Sequence, residues 1–379
     1  MAGTGNLRIG VVGVGVMGSN HARVLSDMAG VELVGVADPD SNQRNFVADA
    51  LNSPAFNDVE ALLRRGVDAV VIAAPTHLHH DIALKCISEG VHVLVEKPIA
   101  STVEEGRGIV AAARRAGVTL MVGHVERFNP AVESIKRAIK NQDILSIAIT
   151  RVGPFPPRMS NVGVVIDLGV HDIDLIRWFT ESEIVEIQPQ TSSAVAERED
   201  IALLQFRTAS GVLAHINTNW LTPFKARNIH IATRDKYLIG DLLTLQVTEC
   251  FGFQPDGSYS MRHLSVGYAE PLRSELVAFV DAVRNGERPA VTGDEAVASL
   301  EIAIRCLDAR AMPAAATQRK GPRRQKPQVQ SAKAPYSRST NAASSSCRRA
   351  GSRSTRSLGG SGGRRSRICA WSRRGRCAP

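Results

Sequence analysis

The chain has 379 residues, 44% of them apolar, and a formal net charge of +9. No apolar run approaches the ~20 residues a membrane-spanning helix needs, and the length allows two domains with a sizeable core. The positive charge, which alone would point to nucleic acid, sits almost wholly at one end: Ala314–Pro379 holds 17 Lys and Arg and no Asp or Glu, leaving 29 basic against 37 acidic residues before it, a net of −8.

Leu7–Val12 reads as a short buried strand closed by glycine, and Met17 to Met28 has helical spacing through Met17, His21, Val24, Leu25 and Met28. Val31–Ala37 is a second buried-strand pattern ending at Asp38, after which Ser41 is placed to cap a helix through Phe46 and Val47. Strands at Ala69–Ala73, His92–Val95 and Thr119–Gly123 alternate with helical stretches at Ile82–Glu89 and Thr102–Ala116. This alternation predicts an α/β fold, a doubly wound parallel sheet over residues 1–123.

After Gly123 the texture changes. A helix at Pro130–Lys140, a strand at Ile144–Arg151, a Pro-rich loop at Gly153–Pro157 and a helix over Asp167–Phe179 precede several period-two segments, Ile201–Phe206, Val212–Asn219, Ile229–Thr233 and Leu243–Val247. These predict a largely antiparallel open sheet, and helices at Leu272–Arg284 and Glu295–Ala311 close an α+β domain spanning 124–312. Residues 313–379 are rich in Arg, Ser, Gly and Ala and lack apolar periodicity, so they are expected to be disordered. The abrupt loss of acidic residues reads as an out-of-frame translation, with a polyanion-binding tail and a native spacer as alternatives. Three cysteines fall in that tail; Cys86 and Cys306 in the body read as buried, reduced thiols. No secretory or twin-arginine signal is recognisable at the N-terminus, which makes the cytoplasm the expected location.

Three motifs carry chemistry. Gly13-Val14-Gly15-Val16-Met17-Gly18 follows a strand and opens a helix, with Asp38 ending the next strand. In that context Gly13 serves a tight turn, Gly15 lets backbone approach a pyrophosphate, Gly18 permits close packing, and the helix N-terminus offers free N–H groups to phosphate. Asp38 on the adenosine ribose favours NAD over NADP, since a 2′-phosphate about 5 Å away would be repelled by roughly 2–7 kcal/mol unless Arg44 compensates. Glu96-Lys97-Pro98 lies at the carboxyl end of a strand, where open sheets bind ligands, so Lys97 is placed to hold a substrate hydroxyl and Pro98 is a candidate cis residue.

Asp167 and His171, four apart, predict a carboxylate and an imidazole stacked on one helical face, the carboxylate favouring the charged ring; helix capping plus a core histidine is the structural alternative. Asp174 extends that face, and His77, His79 and His80 follow Ala73-Ala74-Pro75-Thr76 at another strand end. A metal is the lesser reading of both clusters, and none is expected. Val16, Met17, Ala74, Thr76, His79, Glu96 and Lys97 join the glycines and Asp38 as expected cofactor contacts.

These residues in this order resemble the family of glucose–fructose oxidoreductase, inositol dehydrogenase and the rhizopine-catabolism protein (Gfo/Idh/MocA) over residues 6–312, including Pro75-x-x-x-His79 and Asp167-x-x-x-His171. The resemblance implies a Rossmann domain joined to an α+β domain whose open sheet builds homodimers or homotetramers. It also implies that His171 takes the hydroxyl proton, Lys97 orients that oxygen and Asp167 tunes the pair. Val122–Pro130, Arg151–Arg158 and Asn219–Pro223 look most like a subgroup that includes UDP-N-acetylglucosamine 3-dehydrogenases. Arg127, Arg151 and Arg158, with Asp174, are then expected at the substrate, the arginines facing a diphosphate; cofactor-side or interface arginines are the alternative. A cyclitol or free-sugar dehydrogenase is the second reading, an NAD-binding regulator without turnover the third, and nucleic acid enters only through the tail.

Overall fold

The computed structural model describes residues 5–155 and 162–309, so Arg158 and the basic tail lie outside the described residues. In chain order the first half runs β1 (Leu7–Val12), α1 (Val16–Ser26), β2 (Val31–Ala37), α2 (Ser41–Leu51), β3 (Ala55–Phe56), α3 (Val59–Leu63), β4 (Ala69–Ile72), α4 (His79–Ser88), β5 (His92–Glu96), α5 (Val103–Ala116) and β6 (Leu120–Gly123). The strands form one sheet in the order β3-β2-β1-β4-β5-β6, every pair parallel. The order reverses beside β1, which opens a crevice at the carboxyl ends of β1 and β4. Asp40, not Ser41, caps α2, its carboxylate accepting from the N–H groups of Asn42 and Gln43; Ser41 is already helical.

The second half contains α6 (Pro130–Ala138), β7 (Ile144–Pro154), a π-helical turn at Val165–Gly169, α7 (Val170–Thr180), β8 (Ile184–Ser192), β9 (Ile201–Thr208), β10 (Leu213–Asn219), β11 (Leu221–Thr233), β12 (Lys236–Asp241), β13 (Gln246–Phe251), β14 (Ser260–His263), α8 (Pro271–Asn285) and α9 (Gly293–Asp308). Its eight strands are ordered β14-β13-β12-β11-β7-β10-β9-β8, antiparallel except for the β7–β10 pair. The alternation in β9 buries Ala202, Leu204 and Phe206 and leaves Leu203 on the opposite face, 47% exposed. Leu213 and Ile239 are also exposed.

The expected strand at Leu243–Val247 is displaced. Asp241 folds its carboxylate onto the N–H groups of Leu243 and Thr244, and Leu245 takes a left-handed φ of 56°. Apolar residues therefore occupy a hairpin turn between β12 and β13, and the pairing starts at Gln246.

Helix α8 returns to the first half: Leu272, Leu276, Phe279 and Val280 join the core under the parallel sheet, as do Ala296, Val297 and Leu300 of α9. Further along α9, Ile302, Ala303 and Cys306 pack in the second core. One helix thus fastens both halves. Cys86 and Cys306 are free and buried, and burial pushes both thiols up to about 12. Among the described residues no helix is long and apolar enough to cross a membrane.

Candidate active site

The crevice at the carboxyl edge of β1 and β4 encloses a cavity of about 780 Å³, lined among others by Gly13, Gly15, Val16, Met17, Asp38 and Ala74. Gly13 has φ +82°, and a Cβ there would stand 2.5 Å from the Ala74 nitrogen. A Cβ on Gly18 would lie 1.7 Å from the Gly13 carbonyl oxygen, so helix and turn meet only because both lack side chains. Gly15 caps α1 without a side-chain hydrogen bond and faces open space, so the first N–H groups of the helix remain available to an anion. These features fit the pyrophosphate of a dinucleotide.

Asp38 is fixed before any ligand arrives: Oδ2 accepts from Val14 N–H and Oδ1 from Asp40 N–H, both at 2.9 Å. Arg44 does not offset its charge in the way considered from sequence. Its guanidinium donates to the Asp38 and Pro39 carbonyls at 3.1 and 3.2 Å, the backbone rather than the carboxylate.

Of the expected cofactor contacts, Gly18, Thr76, His79, Glu96 and Lys97 do not line this cavity. Gly18 packs the turn. The His79 ring is buried and bridges the Ala74 and Pro98 carbonyls at 2.8 and 3.0 Å, joining the crevice wall to the cis Lys97–Pro98 bond. Glu96 points inward to His21. Thr76 begins the single 3₁₀ turn that leads into α4. His80 sits 3.0 Å from Asp81, and among the described residues neither His77 nor His80 joins a group of metal-ligating side chains.

The Lys97, Asp167 and His171 group assembles from both halves. Lys97, just past β5, reaches across so that Nζ donates to the Asp167 carbonyl at 2.7 Å and to its carboxylate at 3.2 Å. The expected regular helix is broken here: the π turn closes from Val170 N–H to Val165 O, and the Asp167 carbonyl turns to the lysine. Glu199 secures the turn, accepting from Val165 N–H at 3.3 Å, and a Cβ on Gly163 would strike its carboxylate.

Asp167 and His171 are not a hydrogen-bonded pair among the described residues, and Nδ1 of His171 has no partner. The ring lies edge-on to His124 with centroids 6.1 Å apart. Burial first, then the charges of Lys97 and Arg151, hold its pKa well below the ordinary histidine value, opposite to the carboxylate-charged ring expected from spacing. The Asp167 carboxylate meets Lys97, through Oδ1, rather than the ring. The imidazole is neutral at pH 7.

Arg127, Arg151 and Asp174, expected at the substrate, are buried in ion pairs. Arg127 grips Asp174 through Nε and Nη2 at 2.7 and 2.6 Å. Burial works against the Asp174 carboxylate, but His124, Arg127 and Arg177 hold it below the usual range. Arg151 is clamped between Asp172 at 2.8 Å and Glu126 at 2.6 Å, and Glu126 also accepts from Arg227 at 3.0 Å. Both arginines pair within the floor beneath His171. Sequence reasoning missed Glu126, Asp172 and His124 as members of this floor. Glu126 and His124 stood inside the Val122–Pro130 motif, where attention went to the arginine.

The description "Oxidoreductase family, NAD-binding Rossmann fold" matches residues 7–124, and "GFO/IDH/MocA C-terminal domain" matches residues 147–238. A UDP-N-acetylglucosamine 3-dehydrogenase of Acidithiobacillus ferrooxidans is 30% identical over 282 residues, 73% of this chain and 89% of that one. The chain belongs to the Gfo/Idh/MocA oxidoreductase family. An inositol 2-dehydrogenase of Saccharopolyspora erythraea is 31% identical over 325 residues, covering 80% and 94% of the two chains. The solved structure of UDP-N-acetylglucosamine 3-dehydrogenase GnnA from Acidithiobacillus ferrooxidans superposes with a TM-score of 0.75 at 28% identity over 79% of this chain and 96% of that one. Family membership makes the protein an oxidoreductase with an NAD-binding Rossmann fold.

Proposed function

We propose that this family member is an NAD-dependent dehydrogenase that oxidises a secondary hydroxyl of a nucleotide sugar of the UDP-N-acetylglucosamine type. The observation that carries the reading is the Lys97–Asp167 contact beside a neutral His171. Lys97 holds the hydroxyl oxygen, its ammonium fixed by Asp167. His171 takes the hydroxyl proton at the unprotonated nitrogen that burial and the neighbouring cations preserve. Bound NAD would accept the hydride from the same carbon, leaving a ketone. Asp38 supports NAD over NADP, because a 2′-phosphate would face a carboxylate already held in place by two backbone N–H groups.

The nucleotide-sugar assignment rests on the UDP-N-acetylglucosamine dehydrogenase relatives. The half-buried Arg227 is a cation beside the floor with exposure left for a phosphate. A cyclitol substrate is the second reading, favoured by the burial of Arg127 and Arg151 in ion pairs, which leaves fewer unpaired cations for a diphosphate. The exposed apolar residues Leu203, Leu213 and Ile239 on the open sheet face support assembly into a homodimer or homotetramer, which sedimentation would test.

NADH absorbance is followed with NAD and UDP-N-acetylglucosamine, beside myo-inositol and glucose. Turnover with the nucleotide sugar alone is the expected result. Turnover with myo-inositol alone would replace the nucleotide-sugar reading while keeping the roles of Lys97 and His171. Silence with all three, in single-turnover as well as steady-state assays, would favour a regulator.

A further inference from the structure

Behind the crevice, not in it, lies a second group of reactive side chains. His21 of α1, Glu96 at the end of β5 and Glu275 of α8 are all buried, and one ligand atom of each lies within 4.8 Å of the others. His21 Nε2 and Glu96 Oε1 are 2.8 Å apart, and Glu96 Oε2 accepts from the Lys97 backbone N–H at 3.1 Å. Glu275 has no exposed surface, yet neither of its oxygens has a hydrogen-bond partner, and neither does His21 Nδ1. Buried polar atoms are nearly always paired, so the two orphaned Glu275 oxygens beside His21 and Glu96 require a cause.

Burial and the charge of Glu96 push the Glu275 carboxyl well above its usual range. Two carboxylates this close in a dry interior cannot both ionise without a counter-charge. Lys97, the nearest cation in sequence, is turned away to Asp167. A metal ion supplies the missing charge and takes the lone pairs of all three side chains.

We propose that His21, Glu96 and Glu275 form a buried site for a divalent transition-metal ion of the zinc class, which braces α1 and α8 against the end of the strand that presents Lys97. The donor set decides the class. One imidazole with two carboxylates suits zinc and its neighbours, whereas magnesium and calcium prefer oxygen alone. His21 Nε2 and Glu96 Oε1 stand 2.8 Å apart, a hydrogen-bond distance, and would part by about half an ångström to reach the ~3.3 Å edge of a tetrahedral zinc whose ligands stand about 2.0–2.1 Å from it. The three ligands come from three elements, and α8 presents Glu275 from an otherwise apolar face of Leu272, Leu276 and Phe279.

The test measures zinc by mass spectrometry in the full chain, expressed with zinc sulfate and gel-filtered into metal-free buffer. About one zinc per chain is expected, and chelation should lower the thermal midpoint by about 5 °C or more, with recovery on adding zinc but not magnesium. Glu275→Gln should drop the zinc content to below about a tenth while NAD binding persists. His21→Gln gives the same comparison if that variant does not fold. Wild-type protein with less than about a tenth of an equivalent and a midpoint indifferent to zinc and chelator overturns the site in favour of a shared proton or water. Full zinc content retained in either variant overturns it as well.

Discussion

The two walls of the cleft handle charge in opposite ways. The cofactor side is built from glycines, a helix N-terminus and one fixed carboxylate, with recognition left to backbone N–H groups. The floor beneath His171 is made of buried ion pairs, Arg127 with Asp174 and Arg151 with Asp172 and Glu126. The first wall must stay open to receive a ligand; the second must stay closed to hold an imidazole neutral. A cation on the first would be a ligand, whereas the same residue on the second is scaffold.

Substitutions on each side should separate these roles. The largest effect belongs to Lys97→Ala, which should lower kcat/KM by about 10²–10⁴-fold with the NAD dissociation constant almost unchanged, as read by steady-state rates beside fluorescence titration. An unchanged rate would remove Lys97 from the chemistry. On the floor, Arg151→Met leaves Glu126 and Asp172 buried without their main partner and should cost about 3–5 kcal/mol in urea unfolding. The exposed pair Arg107–Glu301 provides the contrast: Arg107→Ala should cost at most about 1 kcal/mol.

Asp38→Ser should weaken NAD several-fold and improve NADP, since it removes the repulsion without touching the glycine turn. A loss shared equally by both cofactors would mean that Asp38 supports the turn alone. The smallest effect concerns pH. Because burial and the nearby cations depress His171, the acid limb of kcat/KM should lie well below pH 6.5. Arg227→Gln removes one of those cations and should move the limb upward. Protonation of the unfolded chain begins near pH 6.5 while the folded ring stays neutral, so the same depression makes stability fall as pH drops below 6.5 toward the folded pKa.

Sequence reading succeeded where one residue type had one physical use. The glycine turn, the Asp38 position and the strand–helix alternation were legible because Gly13 and Gly18 admit no side chain and buried parallel strands are apolar throughout. It failed where the use depended on partners distant in the chain. Arg127 meets Asp174 only after α7 packs on the Val125–Phe128 turn, and Arg151 meets Asp172 and Glu126 only after α7 and that turn pack on β7, so these ion pairs were not legible in the sequence. Four-residue spacing likewise could not reveal a π turn, and apolar Leu243 and Leu245 looked like strand because the Asp241 side chain that turns them is local and polar. His21 and Glu275 stood inside amphipathic patterns and passed as helix interior.

The turn at Val165–Gly169 has a consequence for how the chemistry can be lost. Its wider loop sets the angular phase of everything that follows in α7, including His171 and the anchors Asp172 and Asp174. Deleting one residue there, for example Leu168, would let ordinary helix replace the wide turn with the downstream phase kept, whereas rewinding all five residues as ordinary helix would rotate the downstream side chains by about 100° around the axis. A variant rewound in the second way, which keeps every side chain assigned to catalysis, would then bind NAD and turn over nothing, because its parts list is intact and its timing is wrong.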